Sequence, residues 1–82
     1  MVDIIWTAHF ERAVRGINDT AVKERVKKQI EKIVVDPTIG KPLRYSLKGE
    51  RSLRVSPFRI VYAFDGKIVW LIDFGHRDNI YE

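Results

Sequence analysis

The chain contains no cysteine, two histidines, three prolines and five glycines in 82 residues. Without cysteine there is no disulfide framework, no thiolate metal ligand and no thiol nucleophile. That excludes zinc fingers and cysteine enzymes, and with no signal-like N-terminus it predicts a cytoplasmic location. His9 and His76 form no HExxH pair, and neither a DxDxDG calcium loop nor a GxxxxGK[ST] phosphate loop occurs, so no metal or other cofactor is expected. The longest apolar runs, such as Ile68 to Ile72, span a few residues where a bilayer needs about 20. No membrane partner is expected. Scarce Gly and Pro, with 45% hydrophobic and 32% charged residues, exclude collagen-like and low-complexity chains and indicate a globular one.

A chain this short has room for one core, so residues 1–82 are read as a single domain that buries about 60 to 65% of its unfolded surface. Lys and Arg number 15 against 11 Asp and Glu, giving a net charge of +4, which favours polyanionic partners. The excess is localised. Lys41, Arg44, Lys48, Arg51, Arg54 and Arg59 face only Glu50 between residues 41 and 59, whereas residues 60–82 are net negative.

The run Val2-Asp3-Ile4-Ile5-Trp6 predicts a strand, and its apolar groups on both faces predict an interior one. Phe10, Ala13, Val14 and Ile17 recur at i, i+3, i+4 and i+7, predicting a helix with Thr7 as its cap. A second helix is expected from an Asp19 or Thr20 cap to Val35, with Val22, Val26, Ile30, Ile33 and Val34 on its apolar face and Asp36-Pro37 ending it. Its lysines, Lys23, Lys27, Lys28 and Lys32, read as a solvated face or a second basic strip. Leu43, Tyr45 and Leu47 alternate in a Gly- and Pro-punctuated loop as a short strand or a packed excursion would. Three strands then follow: Arg51 to Val55, Phe58 to Phe64 after a Ser56-Pro57 turn, and Lys67 to Phe74 after an Asp65-Gly66 hairpin turn. The order β-α-α-β-β-β predicts an α+β domain. An antiparallel helix pair covers one face of a three-stranded antiparallel meander joined by the first strand, and the other face stays open.

Catalytic chemistry is not written in a histidine pair or a carboxylate pair; the informative constellation is cationic. Arg54 and Arg59 flank a short turn, so they should lie opposite each other, and like charges at that spacing repel unless an anion sits between them. Arg is the side chain whose fork fits phosphate oxygens, so Arg51, Arg54, Arg59 and Arg77 on an open sheet face would suit a phosphodiester backbone. Any single arginine reads first as a solvated or ion-paired surface group, and it is the cluster as a whole that points to a polyanion. His76 reads as a turn histidine or a strand-end imidazole, and Tyr81 as a tail anchor or a functional group.

Lys41-Pro42-Leu43, Leu47-Lys48-Gly49, Leu53-Arg54-Val55, Phe58-Arg59-Ile60-Val61-Tyr62, Phe74-Gly75-His76-Arg77 and Ile80-Tyr81-Glu82, in this order and spacing, resemble the RelE/ParE superfamily of toxin-antitoxin toxins, specifically its RelE branch. The resemblance covers nearly the whole chain. It implies a toxin that enters the ribosomal A site and cleaves mRNA there as a metal-independent endoribonuclease, by attack of a ribose 2′-hydroxyl on the adjacent phosphate. It implies as partners the ribosome, mRNA and a RelB-like antitoxin that folds on the toxin surface. By position it assigns Arg59 to the scissile phosphate, Arg54 to a basic strand group, Arg77 to the transition state or leaving group, and Tyr81 to stacking or to 2′-hydroxyl deprotonation. A Tyr base needs its pKa, ordinarily about 10, pulled down by neighbouring Arg charges. Lys41, Arg44, Lys48, Arg51 and His76 are its expected RNA-binding residues.

One stretch departs from the pattern. Two positions that are commonly basic in relatives read Glu50 and Ser52 here. That departure keeps two other readings open: a ParE-like poison of DNA gyrase, and a weakly active module that serves mainly to bind an antitoxin.

Overall fold

The structure, a computed structural model, describes residues 2–43 and 49–76. Strand β1 (Asp3–Trp6) leads into helix α1 (Ala8–Arg15), followed by helix α2 (Thr20–Val35) and strands β2 (Lys41–Pro42), β3 (Glu50–Val55), β4 (Phe58–Phe64) and β5 (Ile68–His76). The strands form one sheet in the order β1-β5-β4-β3-β2, with β1 parallel to β5 and every other pairing antiparallel. This is the α+β architecture expected from the element order, extended by the two-residue β2.

Local chemistry starts both helices. The Thr7 hydroxyl accepts from the Phe10 amide at 3.2 Å and donates to the Leu71 carbonyl at 2.7 Å, so one side chain caps α1 and ties it to β5. Asp19 caps α2 by accepting from the Ala21 and Val22 amides. The apolar faces of α1 and α2 then meet the sheet. Phe10, Val22, Val26, Ile30 and Ile33 from the helices pack with Val55, Ile60, Tyr62, Val69, Leu71 and Phe74 from the strands as one buried cluster. Truncating such a residue to alanine costs about 2 to 5 kcal/mol.

The hairpin at Asp65-Gly66 forms as its sequence demands. Gly66 adopts φ +96°, where a side chain is strained, and the Asp65 carboxylate accepts from the Lys67 and Ile68 amides. Those two hydrogen bonds hold the Asp65 carboxyl below its ordinary pKa. The Ser56-Pro57 bond in the preceding turn is cis.

Three expectations are revised. Strand β1 is an edge strand, not an interior one. Its apolar side chains lie on both faces, and Ile5 and Trp6 stay partly exposed there. Trp6 packs edge-on against Phe10 at 5.4 Å, while Ile5 lies opposite Trp70 on the other face. Coverage of two faces is a different property from pairing along two edges, and periodicity reports only the first. Second, the sheet gains a short fifth strand at Lys41 and Pro42, opposite Ser52 and Arg51; the alternation expected from Leu43 to Leu47 falls mostly on residues 44–48, which lie outside the described residues. Third, the face away from the helices is not bare. Ser52, Val61 and Ala63 on it are buried, with Trp70 opposite Ala63.

Candidate functional site

Strands β3 and β4 pair in register through the Ser56-Pro57 turn, which sets Arg54 directly opposite Arg59. Gly75 of β5 stands on the other side of Arg59. The central arginine therefore has a second cation as its partner on one strand and a glycine as its partner on the other. Arg54 is exposed and Arg59 half-buried. Like charges brought side by side repel, and an anion between them reverses the sign.

Alternation along the strands assigns the other residues to faces. Ile60, Tyr62 and Phe74 point to the helices, so Arg59, Val61 and Gly75 point away from them. Ser52 lies opposite Val61 and Lys41 opposite Ser52, which brings Lys41, Ser52, Arg54 and Arg59 onto the same face. The Ser52 hydroxyl, 2% exposed, lies 3.5 Å from Nη1 of Arg59. Where a basic residue is expected from the resemblance, this chain has a small buried hydroxyl that touches the central arginine.

Two of the sequence candidates are placed elsewhere. Arg51 shares the helix-side face with Leu53 and donates through Nη1 to the carbonyls of Gly40 at 2.8 Å and Thr38 at 3.2 Å. His76 ends β5 opposite Phe58, with the two rings edge-to-face at 6.0 Å, on the face opposite Arg59. Arg44, Lys48, Arg77 and Tyr81 lie outside the described residues.

Several contacts near this site leave no mark in the sequence. The His9 imidazole of α1 meets the Asp73 carboxylate of β5 at 2.8 Å. The residues are 64 apart, and nothing local signals the pairing. Tyr62, fully buried, donates its hydroxyl to the Pro37 carbonyl and accepts from the Gly40 amide, both at 2.8 Å. Burial pushes the Tyr62 phenol pKa up, against the smaller lowering effect of the Gly40 bond. A Cβ on Gly40 would overlap the Tyr62 hydroxyl, which explains glycine there. Among the described residues no three His, Asp or Glu side chains gather as metal ligands, and no helix is long and apolar enough to cross a membrane. What the face offers is cationic hydrogen-bond donors at fixed spacing, the chemistry that binds phosphate oxygens and stabilises charge developing on them.

Comparison with known proteins gives this face a context. The backbone resembles the toxin–antitoxin complex RelBE2 from Mycobacterium tuberculosis, with a TM-score of 0.76, 24% identity and coverage of 93% of this chain and 98% of that one. It also resembles the intact E. coli RelBE toxin-antitoxin complex, with a TM-score of 0.77, 27% identity and coverage of 93% and 96%. The E. coli DinJ-YafQ complex gives a TM-score of 0.73 at 19% identity, with both chains covered in full. The comparison with curated protein sequences returns no significant match. The family model described as ParE toxin of type II toxin-antitoxin system, parDE, matches residues 4–81. A match over that span, on a chain that folds as the RelE-like toxins do, means that the chain belongs to the RelE/ParE superfamily of type II toxin-antitoxin toxins.

Proposed function

We propose that residues 1–82 act as a ribosome-dependent endoribonuclease that cleaves mRNA in the ribosomal A site and so inhibits translation. The observation that carries this reading is the direct opposition of Arg54 and Arg59 on one sheet face, with Lys41 on the same face. In the reaction a ribose 2′-oxygen forms a bond to the adjacent phosphorus as the bond from phosphorus to the 5′-oxygen breaks. The 2′-hydroxyl proton passes to a base, and a proton reaches the leaving oxygen. Arg59 holds the scissile phosphate and offsets charge on its equatorial oxygens, while Arg54 binds the neighbouring backbone. Arg77 stabilises the same charge or assists the leaving group, and Tyr81 stacks on the base or takes the 2′-proton. Lys41, Arg44 and Lys48 extend the RNA contact; Arg51 and His76 join it only through a rearrangement of their present contacts. No metal or cofactor is needed for these steps.

An antitoxin that folds on the toxin surface keeps the activity in check, and the likeness to the RelBE and DinJ-YafQ complexes supports such a partner. Primer extension on a translated message, with and without ribosomes, tests the reading. New cuts inside codons that appear only with ribosomes are expected, and uncut message overturns it.

A second reading has its own support. The family model is that of ParE toxins, and Glu50 and Ser52 replace expected cations. On that reading the chain poisons DNA gyrase, and induction leaves mRNA intact while damaging DNA.

A further inference from the structure

The sequence leaves the cations of α2 open to reading as a solvated strip, and the structure divides them. Lys23 and Lys27 border a different depression, with Trp6, Val14 and Ile30. Arg25, Lys28, Gln29 and Lys32, spaced i, i+3, i+4 and i+7, line one wall of a groove of about 610 Å³ whose other wall is Arg54, Val55 and Ser56 of β3 and its turn. No Asp or Glu among the described residues lines it. Two hydrogen bonds lace the walls together: Arg25 Nη2 donates to the Ser56 carbonyl and Gln29 Nε2 to the Arg54 carbonyl, both at 3.0 Å. A solvated strip has no such opposing wall and no such ties.

Arg54 belongs to both places. Its side chain stands opposite Arg59 on the sheet, while its carbonyl accepts from Gln29 and the residue lines this groove, so the two regions adjoin at the outer edge of β3. A seven-residue span of helix is about 10 Å long, enough to present Arg25, Lys28 and Lys32 in succession to an extended polyanion. A flexible acidic peptide would match the sign of the charge. It has no reason to pass through Arg54 to Arg59, whereas one continuous phosphodiester chain engages both regions.

We propose that the groove between α2 and the β3 turn is a second phosphate track, which binds the single-stranded RNA that continues from the segment held at Arg59. This rests on the RNA-cleaving reading above and extends it to an affinity site away from the bond being cut. Arg25 and Gln29 position the walls; Lys28 and Lys32 supply charge to the backbone of the bound strand.

The test is the salt dependence of oligouridine binding by the full chain, comparing wild type with Lys28→Ala/Lys32→Ala. Alanine preserves helix propensity, and a thermal melt matching that of wild type verifies the fold. Each phosphate contact on a single strand contributes about 0.7 to the slope of log affinity against log salt, so the double variant should lose about 1.4 from that slope. An unchanged slope overturns the proposal, as does a wild type that does not bind oligouridine. Lysine-dependent binding of polyglutamate with no such dependence for oligouridine also overturns it, in favour of an acidic protein partner. If the slope falls as expected but translated messages stay uncut, the track stands and the cleavage reading fails.

Discussion

Arg51 and Arg54 lie three residues apart on β3, and their surroundings put them to different uses. Near Arg51 the loop from Pro37 to Gly40 folds back against the sheet. The arginine caps the Thr38 and Gly40 carbonyls, while Tyr62 on the paired strand bridges Pro37 and Gly40. Near Arg54 the hairpin reaches its turn, Arg59 stands opposite, and the Arg54 side chain faces solvent. An arginine becomes structural where unpaired carbonyls surround it and suited to a ligand where another cation stands beside it. The difference is set by neighbours brought from elsewhere in the chain, not by residue type.

That contrast can be broken at either end. The largest effect is expected from Arg59→Ala, which should lower ribosome-dependent cleavage by about 10²- to 10³-fold, as the loss of one charge-stabilising donor does, with little change in the melting temperature. Parallel loss of stability would mean that Arg59 is structural, as Arg51 is.

Tyr62→Phe acts at the other end. It strands the Gly40 amide and the Pro37 carbonyl, and denaturant unfolding should show a loss of about 1 to 3 kcal/mol. The same variant isolates a pH effect. Because burial raises the Tyr62 pKa in the fold, its contribution is complete below about pH 10, the unfolded value, and declines as pH rises through the folded one. Wild type should lose stability through that alkaline window more steeply than Tyr62→Phe; identical slopes would show that Tyr62 has no part in it.

Arg51→Ala should cost about 1 to 2 kcal/mol by releasing two loop carbonyls, with cleavage by the remaining folded protein kept within a few-fold. The smallest effect is expected at Asp36. Its carboxylate accepts from the hydroxyl and the amide of Thr38, which hold its pKa below the ordinary value. That stability is present above about pH 4 and is lost as pH falls through the folded value, so Asp36→Asn should flatten a shallow acid decline in the melting temperature.

Features fixed by neighbours in sequence are legible in the residues themselves. The Thr7 and Asp19 caps, the apolar face of α2, the Asp65-Gly66 turn and the opposition of Arg54 and Arg59 each follow from residues a few positions apart. Features fixed by long-range packing are not. Periodicity cannot say that β1 sits at an edge, because it reports covered faces and not paired edges. Nor can it pair His9 with Asp73 or fold the Gly40 loop onto Tyr62. Arg51 lies between these cases: alternation from Leu53 already sets it on the helix side, but the carbonyls that occupy it come from the loop. The candidate site is legible as a charge cluster, and its division into carbonyl-bound and solvent-facing cations is not.

The contrast between the two arginines is tested most directly by one comparison. Primer extension on a translated message is run with Arg59→Ala and Arg51→Ala at equal folded concentration, verified by unfolding curves. The expected result is that cuts vanish with Arg59→Ala and persist with Arg51→Ala; equal loss in both, or full activity in both, would contradict it.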